Sequence, residues 1–236
     1  AAPAALAVGP DLRQVLAADL DNDGWPDLVT RHGNDTVEVR LQVAPSSYAL
    51  TGSFATGGAG TMRMATGDFN EDGALDLVVA TQWTDTVTLL LGDGNGQLGA
   101  ATSFAVHNIA PEVVARPRNL VVADIDEDGN LDVVTANFWF PSTLSLLRGN
   151  GAGAFATSEN IQMGGFGAFG GDSIAVGDLN GDGHLDLAVG GQGSVDAIRL
   201  GDGTGAFATP LPGLGTFPVA IADFDGDGDS DVLHTF

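Results

Sequence analysis

The 236-residue chain holds 31 acidic and 8 basic residues, all eight of them arginine, for a net charge of −23. Its length suffices for a globular domain with a real core, and its charge argues against nucleic acid or anionic membranes as partners. The absence of cysteine excludes disulfides and thiol catalysis, and no apolar run is long enough for membrane insertion.

Residues Pro3 to Val8 come first and occupy the place of an outer strand. The Ala-Ala-Pro start without methionine fits removal of a signal peptide. Asp11 to Leu20 has helical local propensity, but its alignment with the first strands of later units predicts a strand. It leads into the first of five copies of a short acidic pattern, D-L-D-N-D-G-W-P-D from Asp19 to Asp27. The others are D-F-N-E-D-G-A-L-D (Asp68 to Asp76), D-I-D-E-D-G-N-L-D (Asp124 to Asp132), D-L-N-G-D-G-H-L-D (Asp178 to Asp186) and D-F-D-G-D-G-D-S-D (Asp223 to Asp231).

Oxygen-bearing side chains stand at positions one, three, five and nine of each copy. They are Asp19, Asp21, Asp23 and Asp27; Asp68, Asn70, Asp72 and Asp76; Asp124, Asp126, Asp128 and Asp132; Asp178, Asn180, Asp182 and Asp186; and Asp223, Asp225, Asp227 and Asp231. Calcium is a hard cation that takes about 6–8 oxygen ligands, so alternate carboxylates on a curled backbone suit it. Position six is always glycine, which permits the positive φ of a sharp turn. Position seven varies freely (Trp25, Ala74, Asn130, His184, Asp229), as expected of a residue that offers only its backbone carbonyl. Up to five Ca2+ ions are predicted, with weaker sites where Asn70 and Asn180 each remove a charge.

An EF-hand would require a bidentate glutamate at position twelve between two helices. Here that position is Thr30, Val79, Thr135, Val189 or His234, and the flanks are β-rich. Asp/Gly turns are common between strands, but five copies with the same spaced oxygens exceed what turns require. The first aspartates are 49, 56, 54 and 45 residues apart, a period of propeller blades or solenoid units. Between the loops recur L-L-L-G-D-G-N-G-Q-L (Leu89 to Leu98), L-L-R-G-N-G-A-G-A-F (Leu146 to Phe155) and I-R-L-G-D-G-T-G-A-F (Ile198 to Phe207). The first unit has V-R-L-Q-V-A-P-S-S-Y (Val39 to Tyr48) instead. Each unit reads as four short strands; in the second they fall near 62–67, 75–81, 86–91 and 100–106. Continuously apolar strands fit sheets buried on both faces.

These alternating glycine-rich turns and D-x-[DN]-x-D-G-x-x-D loops resemble the FG-GAP/VCBS repeats of integrin-like, calcium-binding β-propellers over essentially the whole chain. The resemblance implies an all-β propeller of four-stranded antiparallel blades, in which each loop joins a blade's first two strands. About five repeats are expected in one domain over residues 1–236, with units near 10–56, 57–110, 111–165, 166–212 and a partial 213–236. Residues 1–9 are placed to complete a blade. A reduced ring, a piece of a larger propeller, and a blade finished by another molecule remain open; the last would use an unpaired strand edge for self-assembly.

The metal sites read as structural, with bound ions replacing disulfides as cross-links in an extracellular protein, secreted or at the cell surface. Four scattered histidines without zinc spacing, and aspartates committed to loops, give no basis for an enzyme. A non-catalytic adhesion, recognition or assembly module is expected, with a carbohydrate-binding lectin and a strand-exchanged structural polymer as alternatives. Its partner would be a protein or glycan at the cell surface or matrix. The face opposite the loops would carry Trp83, Phe138 and Trp139, residues suited to stacking on a sugar or anchoring a protein, and equally to packing between blades.

Overall fold

The computed structural model describes residues 8–106, 114–138, 143–162, 173–190, 197–209, 211–212, 217–228 and 230–235. Five antiparallel sheets succeed one another along the chain. The first contains β1 (Leu12–Ala18), β2 (Asp27–His32), β3 (Thr36–Ala44) and β4 (Ser47–Ala55), and the second β5 (Thr61–Gly67), β6 (Asp76–Thr81), β7 (Thr86–Leu90) and β8 (Thr102–Ala105). The third contains β9 (Pro117–Ala123), β10 (Asp132–Asn137), β11 (Thr143–Leu147) and β12 (Glu159–Gln162). The fourth has β13 (Ser173–Gly177), β14 (Asp186–Gly190), β15 (Ala197–Arg199) and β16 (Leu211–Pro212), and the fifth β17 (Phe217–Ala222) and β18 (Asp231–Thr235). Strands neighbour one another in sequence order within each sheet. The fold is therefore all-β, a β-propeller of four-stranded antiparallel blades with two described strands in the fifth.

The first strands of successive sheets meet in chain order, β1 with β5, β5 with β9, β9 with β13 and β13 with β17. Side-chain alternation along a strand then gives each middle strand two buried faces. Leu77 and Val79 of β6 pack with Val29, Val37 and Val39 of the first sheet, whereas Val78 and Ala80 pack with Leu120 and Val133 of the third. One step on, Val134 and Ala136 of β10 join Leu187 and Val189 of β14. The core is thus a series of slabs between sheets, and this explains why the central strands are apolar without alternation.

The 11–20 segment is a strand despite its helical propensity. Its partner strand and the slab behind it supply burial that an isolated helix of this length would lack. The first two strands of every sheet share one register. The residue before a loop pairs with its ninth position: Ala18 with Asp27, Gly67 with Asp76, Ala123 with Asp132, Gly177 with Asp186 and Ala222 with Asp231. The acidic pattern is therefore the hairpin connection itself. The glycine turns close the next hairpin through single bridges, Gly92 with Leu98, Gly149 with Phe155 and Gly201 with Phe207. In the first sheet a tight turn pairing Ala44 with Ser47 replaces it. The strand expected at Pro3 to Val8, except for Val8 itself, lies outside the described residues, as does most of the connection from His107 to Arg118.

Candidate metal centres and the opposite face

Each loop is organised around its first aspartate. In the second, Asp68 Oδ1 accepts the Asp72 N–H at 3.2 Å and Oδ2 the Gly73 N–H at 2.9 Å, while Asp72 Oδ1 accepts the Ala74 N–H at 2.8 Å. The same bonds recur with Asp19 and Asp23 in the first loop and with Asp124 and Asp128 in the third. In the fourth and fifth loops Asp178 and Asp223 again hold the position-six N–H. Position six has φ between 85° and 95° in all five loops, as its glycine predicts. Position four is left-handed too, at Asn22, Glu71, Glu127, Gly181 and Gly226, a feature absent from the sequence expectations. Asn22 and the two glycines carry that signal, since both residue types tolerate this region; the two glutamates do not.

The ninth position does more than close a cage. Asp27, Asp76, Asp132 and Asp186 have no solvent exposure. One oxygen of each accepts the N–H of loop position two, from Leu20, Phe69, Ile125 or Leu179 at 2.8–3.0 Å. The other accepts an N–H at the start of the next turn, from Gln42, Gly92, Gly149 or Gly201 at 2.8 Å. One carboxylate thus ties the acidic loop to the third strand. Glycine is needed there because a Cβ on Gly92, Gly149 or Gly201 would stand 2.1–2.2 Å from the carbonyl oxygen of loop position eight. Burial pushes Asp132 up to about 6 in spite of its two backbone donors, and raises Asp76 in the same direction. In Asp21 desolvation and then the carboxylates of Asp27 and Asp23 act upward together. Asp178 and Asp128, held by backbone N–H groups, are lowered.

Carboxylate oxygens of Asp19, Asp21 and Asp27 lie within 4.8 Å of one another, as do those of Asp124, Asp126 and Asp132 and those of Asp223, Asp225 and Asp231. All are hard oxygen donors with mutually unfavourable charge. Asp126 Oδ1 is buried without a hydrogen-bond partner. Such a set fits a divalent cation. In the second and fourth loops the third-position amides instead donate to the fifth-position carboxylates, Asn70 to Asp72 at 2.8 Å and Asn180 to Asp182 at 2.9 Å. Asp229 is outside the described residues.

Loops of adjacent sheets are also joined to each other. Asn22 Nδ2 donates to the Gly73 carbonyl at 3.3 Å, and His184 Nδ1 lies 2.6 Å from Glu127 Oε1. That carboxylate raises the His184 pKa, and it gives the side chain a role at the blade junction. The apolar residues of a loop face both ways: Leu20, Phe69 and Ile125 enter the slab shared with the next sheet, whereas Leu75, Leu131 and Leu185 line the slab shared with the previous one. The second and third acidic loops therefore each pin two interfaces.

On the other face, Trp83 is 60% exposed, with the Arg116 guanidinium 4.7 Å from its ring centroid. It does not pack between sheets. Gln82, its neighbour in the chain, is buried. Phe138 is partly buried, and Arg118 covers it at 3.4 Å. Trp139 is outside the described residues, so no paired aromatic platform is established.

A family model described as FG-GAP-like repeat matches residues 19–79, 68–135, 124–189 and 178–234, each match running from one acidic loop into the strand after the next. The chain belongs to the FG-GAP-like repeat family. No curated protein sequence matches it. Among solved structures it is similar to an Agrocybe aegerita lectin that recognises non-reducing terminal N-acetylglucosamine, at 19% identity and a TM-score of 0.62 over 94% of this chain and 60% of that one. A functionally unknown protein from Desulfotomaculum acetoxidans matches at 13% identity and a TM-score of 0.61, over 96% of this chain and 62% of that one. BBS1N, solved in complex with ARL6DN, matches at 17% and 0.54, over 88% of this chain and 58% of the other. At such identities the likeness is one of fold. The chain spans about three fifths of the length of these structural neighbours.

Proposed function

We propose that the chain is a calcium-stabilised, non-catalytic propeller module that acts outside the cell in recognition or adhesion. The observation that carries this reading is the row of acidic loops, the first four each bonded to their own third strand and the second and third each seated between two slabs. In the first loop the carboxylates of Asp19, Asp21, Asp23 and Asp27, with the Trp25 carbonyl, would hold the ion; the corresponding residues serve in the other four. The bound cation supplies charge neutralisation and a cross-link. The residues of the chain supply the frame, because the backbone N–H groups that hold positions one and nine orient them before any ion arrives. Placing the sites in millimolar calcium motivates the extracellular assignment. Isothermal titration with calcium tests it: binding whose stoichiometry falls by the first and third sites in D19N/D124N supports the reading, and absence of heat in the wild type contradicts it.

A glycan-binding role on the opposite face is the second reading. It is favoured by the exposure of Trp83 and by the fold shared with the Agrocybe aegerita lectin. An indole face stacks on the apolar side of a sugar ring. Screening against immobilised glycans, with W83A as the control, tests this reading: retention that needs Trp83 supports it, and retention independent of Trp83 places the ligand elsewhere.

A further inference from the structure

The first and third loops present the same four aspartates but not the same surroundings. The residue just before the third strand's bonded turn is Leu41 in the first sheet, Leu91 in the second and Leu200 in the fourth; in the third it is Arg148. Leu41, Leu91 and Arg148 all lie beneath a glycine of the next sheet's turn, against Gly96, Gly153 and Gly205 respectively. Arg148 therefore occupies an otherwise apolar place. Its guanidinium reaches back to the acidic loop, where Nη1 pairs with Asp126 Oδ2. The same nitrogen donates to the Thr204 carbonyl at 3.1 Å, and Nε donates to Glu159 Oε1 at 3.0 Å. The pair is largely shielded, with side-chain exposures of 24% for Arg148 and 14% for Asp126. Among the described residues, none of the first loop's aspartates is paired with an arginine.

We propose that Arg148 sets the cation affinity of the third loop: it occupies one oxygen of Asp126 as a resident cation, so this loop binds calcium more weakly than the first. The inference rests on the reading of the acidic loops as calcium sites. An arriving ion either takes the free Oδ1 of a carboxylate already neutralised through Oδ2 or displaces that charge-assisted bond, and in both cases it meets a positive charge that Leu41 does not present at the first loop. In return, the third loop is partly neutralised without an ion and stays joined to the fourth sheet through Thr204. The first site would then fill before the third.

Amide signals of Gly24 and Gly129 distinguish the two loops, because both stand at position six and donate to their loop's first aspartate. Calcium chloride is added to the isotopically labelled, ion-stripped chain and the half-change of each signal is read. In the wild type Gly24 should respond at lower calcium than Gly129. Arg148→Leu should lower the Gly129 midpoint on the order of tenfold, the factor that accompanies loss of one competing charge-assisted bond, and leave Gly24 in place. Arg13→Leu, at an exposed arginine paired with Asp11 at the far end of β1, controls for net charge and should move neither. Should R148L fail to fold, Arg148→Met and the wild-type order of the two signals decide the matter. An unshifted Gly129, or an equal shift in R13L, overturns the role of Arg148 alone. Silence at both glycines overturns the calcium reading and this inference with it.

Discussion

Phe69 and Phe224 hold the same place in the repeat, position two of an acidic loop, yet one is 3% exposed and the other 55%. Both donate their N–H to the ninth aspartate, at 2.8 Å and 3.0 Å. The local loop is thus built the same way at both sites, and the difference lies in the sheet that packs against it. Phe69 enters the slab between the second and third sheets and meets Phe155 edge-on at 5.4 Å. Phe224 has no such slab among the described residues. Loop geometry is local to the nine residues, whereas loop stability is borrowed from the next blade.

The sharpest way to break this comparison is a paired truncation. F69A should cost about 3–5 kcal/mol by opening a cavity in a packed slab, while F224A should stay within about 0.5 kcal/mol; denaturant unfolding of both variants checks the contrast. Next in size is the buried ninth position. D76A strands the N–H groups of Phe69 and Gly92, at about 1–3 kcal/mol each, so a loss of roughly 2–6 kcal/mol is expected. D231A, whose described partner is the Phe224 N–H alone and exposed, should lose less than half of that. Equal losses would show that the ninth aspartate acts only through a cation.

A smaller effect is expected at position six. G73A forces a side chain to φ +85°, a cost of roughly 1–2 kcal/mol, with open space around the new methyl group, so backbone strain alone is measured. The smallest lies on the far face, at Asp35. Burial alone would raise its pKa, but the N–H and hydroxyl of Thr61, at 3.0 Å and 2.7 Å, hold it below the ordinary 3.8. A folded value below the unfolded one stabilises above pH 3.8 and is lost as pH falls through the lowered value. Wild type should therefore lose stability below that pH in part through Asp35, and D35N should flatten this acid limb in thermal melts.

Much of this was legible from residues alone, because the acidic loop is a nine-residue unit whose spacing and glycine encode both its turn and its register. The apolar strands such as Leu77 to Ala80 announced burial on two faces. Less legible were features that residue type and spacing do not carry. Glu71 and Glu127 adopt the left-handed region with no residue signal for it, held by the bonds around them. The second task of Asp76 and its equivalents, tying the loop to the next turn, arises from a register that spacing within the loop does not contain. Arg148 shows in the sequence only as a departure from leucine in one turn. Its pairing with Asp126 depends on how the turn folds back onto the loop. Trp83 and Gln82 are adjacent residues of one turn with opposite exposures, a distinction that composition at a loop tip does not make.

The most direct test of calcium stabilisation is thermal unfolding of the chain in saturating calcium and in chelator. Each site at one hundred times its Kd adds about 2.7 kcal/mol to the native state, so several filled loops predict a melting temperature far higher with calcium than without. A midpoint unchanged by the chelator would contradict the central claim, and would mean that backbone bonds and apolar slabs hold these blades without any ion.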